Sequence, residues 1–134
     1  MKKLLVPIFT EEYAIEVRIG TRKEIIKSAA KYLGQSYKAV ENDYGKCRGK
    51  AWNALEEVYG NKHPLIVIDS DYNWYQGLST TAHEASHAIQ WIAEYLAIED
   101  KNGEFHAHGI SAVLRAVGKM INQKKLPITN KRGK

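Results

Sequence analysis

Thr80–Leu96, TTAHEASHAIQWIAEYL, can bury only one of its sides, and that restricts the chain more than any other stretch. Ala85, Ile89, Ile92 and Leu96 recur at intervals of three and four, the spacing of one helical stripe. His83 and His87 fall well away from that stripe, so core packing does not account for them. Four residues apart on a helix, their imidazoles stand one above the other and can reach a common point. Ser79 supplies an N-cap, so the helix is expected from there to about Ile98, with Asp100-Lys101-Asn102-Gly103 as the break. A second amphipathic helix is predicted over Glu104–Ile121, with Ile110, Val113, Leu114, Val117 and Ile121 as its apolar side.

The first half of the chain supplies strands. Lys3–Phe9 and Tyr13–Gly20 are short β-type segments, the second with Tyr13, Ile15, Val17 and Ile19 alternating against Ala14, Glu16, Arg18 and Gly20. Thr10-Glu11-Glu12 is short enough to join them as a hairpin, and Pro7 places the first strand at an edge or a bulge. Thr21 and Glu24 form a capping box for a helix through Ile25, Ile26, Ala29, Ala30 and Leu33, which Gly34 ends. Ser36–Tyr44 reads either as a short helix or as a loop. Leu65–Asp69 is the strongest strand, and it is expected to pair with residues around Arg48–Val58 across a turn at Tyr59-Gly60-Asn61-Lys62. Asp71–Leu78, rich in Tyr, Asn, Trp and Gly, reads as a loop. The whole is an α+β chain with a small, mostly antiparallel sheet, one N-terminal helix and two long helices.

Composition narrows the classes. A length of 134 residues suits one domain with its own core, assigned to residues 1–122. The net charge of +5 is concentrated at the end. From Lys119 onward there are six basic residues and no acidic one, which leaves 14 basic against 15 acidic groups before it. Residues 123–134 are therefore a basic, flexible tail, and nucleic-acid binding would have to depend on it. The single Cys47 excludes an internal disulfide, suits a reducing cytoplasm and reads as a plain thiol on a strand. The apolar run after Met1-Lys2-Lys3 stops by Phe9, too short for an export signal, and no run is long enough to cross a bilayer.

His83-Glu84-Ala85-Ser86-His87 is an H-E-x-x-H pattern in helical context. Two imidazoles on one helix face suit a divalent metal, and Glu84, about 100° round the helix, is close enough to act on a water beside it. Catalytic zinc takes a third protein ligand and keeps one position open. Glu104, at the head of the second helix, is the preferred third ligand, with His108 one turn on as the alternative. A first-turn carboxylate is also explained by the helix dipole alone. His63 and His106 read as ordinary polar histidines, and Glu94 as a salt-bridge partner for Arg115. Trp74, Tyr75 and Trp91 are candidates for a groove lining or for packing.

His83-Glu84-x-x-His87, a short turn, then Glu104-Phe-His-Ala107 opening another helix resembles the gluzincin branch of the zincin metallopeptidases. In size and layout the chain is similar to the minimal zincin-like proteins encoded by phages and prophages. The close match covers about Ser79–Val117. No third histidine follows in the metzincin arrangement. The resemblance implies a zincin-like fold, Zn²⁺ held by His83, His87 and Glu104, and Glu84 as general base in peptide-bond hydrolysis by a metal-activated water. It also implies that Leu65–Asp69 is the edge strand along which an extended peptide or protein substrate lies. His108, Tyr72, Tyr75 and Tyr95 are the candidates for an oxyanion helper. In a phage setting the compartment would be the host cytoplasm. The competing reading is a zincin-shaped module that grips a host protein without turnover.

Overall fold

The structure, a computed structural model, describes residues 1–10, 12–55, 63–71 and 74–122, the side chains of residues 9, 10, 74 and 122 excepted. Glu11, Tyr72, the turn at residues 59–62 and the basic tail at 123–134 lie outside the described residues. The elements run β1 (Lys2–Thr10), β2 (Tyr13–Gly20), α1 (Arg22–Leu33), α2 (Tyr37–Tyr44), β3 (Gly49–Trp52), β4 (Leu65–Asp69), α3 (Trp74–Leu96) and α4 (Glu104–Asn122). The fold is α+β, with a four-stranded sheet in the order β1-β2-β4-β3.

β1 and β2 form the expected antiparallel hairpin. Its register shifts between Pro7 and Thr10, as an edge strand carrying a proline allows. β3 pairs antiparallel with β4, Gly49 opposite Ile68 and Trp52 opposite Leu65. β2 and β4 run parallel, Glu16 opposite Leu65 and Gly20 opposite Asp69. β4 is therefore interior to the sheet, and all five of its residues are buried. This corrects the expectation that Leu65–Asp69 is an edge: β1 and β3 are the edges, because β2 takes the side of β4 that a substrate would need.

Alternation along β2 divides the core in two. Ile15, Val17 and Ile19 face Ile66, Ile68 and the apolar stripes of α3 and α4. On the other face α1 and α2 bury Ile25, Ile26, Leu33, Val40 and Tyr44 against Leu65, Val67 and Trp52. Helices on both faces explain why Leu65–Ile68 of β4 is a continuous apolar run, LIVI, and not an alternating one.

Local signals hold at α1. Thr21 accepts from the Glu24 N–H and Glu24 accepts from the Thr21 N–H, while Gly34 closes the helix at φ 67°. Ser36 caps α2 through the Ala39 N–H, so the short helix is the reading that stands. α3 begins at Trp74, five residues before the expected cap at Ser79. Leu78 packs on the core, a tertiary contact that favours the helix over the loop-like composition there, and within the helix the Thr81 hydroxyl donates to Gly77 O at 2.6 Å. Cys47 is exposed and precedes β3; its N–H bonds Tyr44 O in a turn. No helix among the described residues is long and apolar enough to cross a membrane.

Tyr32 ties α1 to the strand entry by donating to His63 O at 2.9 Å. Burial, reinforced by the charge of Glu16, pushes its phenol up to about 12. A folded-state value above the unfolded value of about 10 stabilises the fold below pH 10, and this contribution is lost as pH rises from 10 towards 12. Tyr32→Phe should lower stability at pH 8 by about 1 kcal/mol through the lost hydrogen bond. It should also flatten the alkaline fall relative to the parent. Urea unfolding at pH 8, 10 and 11.5 would test this, and a parallel fall in both proteins would refute it.

Candidate metal centre

α3 presents four sides to four environments. Ala85, Ala88, Ile89 and Ile92 are buried in the core. The side bearing Ser86 and Ile89 meets α4, and the side bearing Thr80 and Glu84 meets β3. His83 and His87 occupy the remaining, open side and are exposed. Their ring centroids are 4.9 Å apart and the rings meet edge to face at 85°. Trp91, one turn beyond, stacks on His87 at 6.1 Å.

Glu84 lies against the sheet edge, its side chain 13% exposed, with a carboxylate oxygen 4.0 Å from His83 Nε2. It accepts a hydrogen bond from the Ala51 N–H of β3. Burial pushes its carboxyl above the ordinary carboxylate range, against the opposing pull of His83, His87, Lys50 and the Ala51 N–H. This approach depends on Gly49. A Cβ there would overlap Thr80 Cγ2 and come within 3.2 Å of Val67 O, so only glycine lets α3 close on β3. Lys50 is held by Asp43 at 4.0 Å and lies 5.8 Å from the Trp52 ring. Neither Gly49 nor Lys50 is marked in the sequence as part of the site; only the strand register reveals them.

Glu104 and His108 are both exposed, on the side of α4 opposite the buried Gly109, Val113 and Val117. The residue α4 turns towards α3 is His106, whose Nε2 is 2.8 Å from Ser86 Oγ. Asp100 accepts from the Phe105 and His106 N–H groups and so caps the helix, whose first turn carries Glu104. The structure therefore brings together His83, Glu84 and His87, and does not bring Glu104 or His108 beside them. Among the described residues no group of three or more His, Cys, Asp or Glu side chains is placed to hold a metal. The two imidazoles suit a divalent cation as its first two protein ligands in donor type and spacing. Glu94 accepts from Gln90 at 3.1 Å and Arg115 donates to Ser111, so the expected Glu94–Arg115 ion pair is not formed.

Removing the Ser86–His106 bond should cost about 1 kcal/mol, whichever partner is changed. Ser86→Ala, His106→Ala and the double variant should be equally destabilised in thermal melts; additive losses would show that the two side chains act separately.

The class that fold and site define is an α+β protein carrying a paired-histidine, single-carboxylate centre on an exposed helix face. Comparison with family models, curated proteins and solved structures finds no match to the chain.

Proposed function

We propose that the chain is a zinc-dependent metallopeptidase, with His83 and His87 as metal ligands and Glu84 as the general base. The observation that supports this most is the division of labour on α3: the core side, the α4 side and the β3 side are occupied, while two adjacent imidazoles stand unburied beside a desolvated carboxylate. Exposed surface alone does not require a histidine at both positions, and the Glu84 carboxylate is more costly to bury than a neutral side chain would be. A divalent cation held by the pair would supply Lewis acidity and would acidify a nearby water. Glu84, within reach of the same point, would take the proton of that water and deliver it to the leaving amine. β3, an edge of the four-stranded sheet, lies beside Glu84, and an extended peptide would be expected to run along it.

The test is metal content of the purified full chain together with its coordination sphere. Stoichiometric zinc that disappears in His83→Ala and in His87→Ala is the expected result. Glu104→Ala and His108→Ala decide the third ligand, which the motif assigns to Glu104 first. Absence of bound metal after incubation with zinc at neutral pH would remove the proposal.

One observation favours a second reading, the module that grips a partner protein without turnover. Glu104 and His108 stand away from the histidine pair. In that case Glu84→Gln should leave partner capture intact.

A further inference from the structure

The two faces of the sheet are unequally covered. α1 packs over β2 and β4, and the core it makes with α2 contains no residue of β1. On that side of β1, Leu5 is 51% exposed. The gap between α1 and the β1–β2 hairpin is a groove of about 660 Å³ lined by Lys3, Arg18, Lys27, Ser28, Lys31 and Tyr32, among others. It lies on the opposite face of the sheet from His83 and His87 and does not depend on the metal reading.

Arg18 forms its floor. The residue is 9% exposed, donates from Nη1 to Ser28 Oγ and from Nη2 to Glu16 Oε1 at 3.1 Å, and lies 5.1 Å from the Tyr32 ring centroid. Its Nε is buried without a hydrogen-bond partner among the described residues. Lys3 is the register partner of Arg18 on β1, so the two stand side by side on this face. Lys27 and Lys31 project from consecutive turns of α1, as do Ser28 and Tyr32. Within 4.0 Å, none of the three lysines has an acidic partner among the described residues. Like charges four apart on a helix repel, and a third lysine across the groove adds to that repulsion.

Glu24 lines the groove and pairs with the Met1 ammonium at 3.8 Å, and Glu16 pairs with Arg18, so two carboxylates face five cations and both are already partnered. The excess matches a dianion better than a single carboxylate. Lysine binds phosphate as a point charge, and the volume is that of a small-molecule site. We propose that this groove binds a phosphorylated small molecule, its phosphoryl group held among Lys3, Lys27 and Lys31 above the buried charge of Arg18.

The test uses inorganic pyrophosphate titrated calorimetrically into the full chain at low and at physiological salt. Saturable one-to-one binding that weakens with salt is expected. Lys27→Glu with Lys31→Glu should weaken it by about tenfold or more, since both contacts become repulsive. Lys27→Gln with Lys31→Gln should give a smaller loss. Both lysines are exposed, and a thermal melt confirms that these variants fold. His83→Ala with His87→Ala should bind as the parent does, which excludes capture by a metal on the other face. Glutamine at Lys124, Lys125, Lys131, Arg132 and Lys134 should likewise change nothing. The proposal is overturned by absence of saturation, by binding indifferent to the α1 lysines, or by loss in the histidine or tail variants instead. It is also overturned if a DNA duplex binds through these lysines and pyrophosphate does not displace it.

Discussion

Glu84→Gln should retain bound zinc and lose hydrolysis of a peptide by about 10²–10⁴-fold, the usual contribution of a positioned general base. The amide keeps the length and shape of the side chain but cannot take a proton. It can still accept from the Ala51 N–H through its oxygen, so α3 and β3 stay together. A second effect runs in the opposite direction. Burial raises the Glu84 carboxyl above its unfolded value, so the ionised group weakens the fold at neutral pH, and that cost is absent below the unfolded value of about 4.5. The metal-free Gln variant should therefore melt higher than the parent at pH 7, and the difference should shrink towards pH 4. A variant that loses activity and stability together would mean that Glu84 is a structural anchor. Loss of zinc along with activity would mean that it is a ligand. Metal analysis, a peptide-cleavage assay and paired melts separate the three cases.

The second large effect lies where α3 crosses α4. A Cβ added at Gly109 would stand 2.5 Å from Ile89 Cδ1, 2.7 Å from Cγ1 and 3.1 Å from Cγ2. Ile89 is fully buried and β-branched, so it has little freedom to turn aside. Gly109→Ala should thus destabilise by about 1–3 kcal/mol, although alanine in an open helix would gain close to 1 kcal/mol over glycine. Ile89→Ala should cost about 2–5 kcal/mol through the cavity it leaves. In the double variant the new methyl enters that cavity, so the combined loss should fall short of the sum by about 1–3 kcal/mol. Denaturant melts of the four proteins give the coupling directly. Additive losses would show that the helices separate to admit the methyl.

Legibility from sequence follows the range of the interaction. The Thr21–Glu24 capping box, the Gly34 stop, the β1–β2 hairpin and the stripes of α3 and α4 depend on neighbours within a few residues, and each is found where its pattern lies. The start of α3 is not marked in the sequence: the composition of Trp74–Leu78 is loop-like, and of these residues Leu78 packs on the core. The interior place of β4 was hidden because parallel pairing with β2 joins segments some fifty residues apart, beyond any local signal. At the site, H-E-x-x-H spacing is enough to set His83, Glu84 and His87 on one helix. Which side of α4 turns inward is a question of helix phase: His106 lies on the phase of Val113 and Val117, and Glu104 and His108 do not. The apolar stripe of α4 carries that phase in the sequence.

Gly49 and Gly109 stand against opposite flanks of α3, one in the strand beside it and one in the helix beside it. With bare backbone on both sides, the helix has no compressible layer in which to slide or roll. Redesign of this protein therefore has one direction open to it. Gln90, Glu94 and Tyr95 are exposed on α3 and can be exchanged to shape what approaches the histidines, whereas a methyl at either glycine would shift the whole rod and every group it carries.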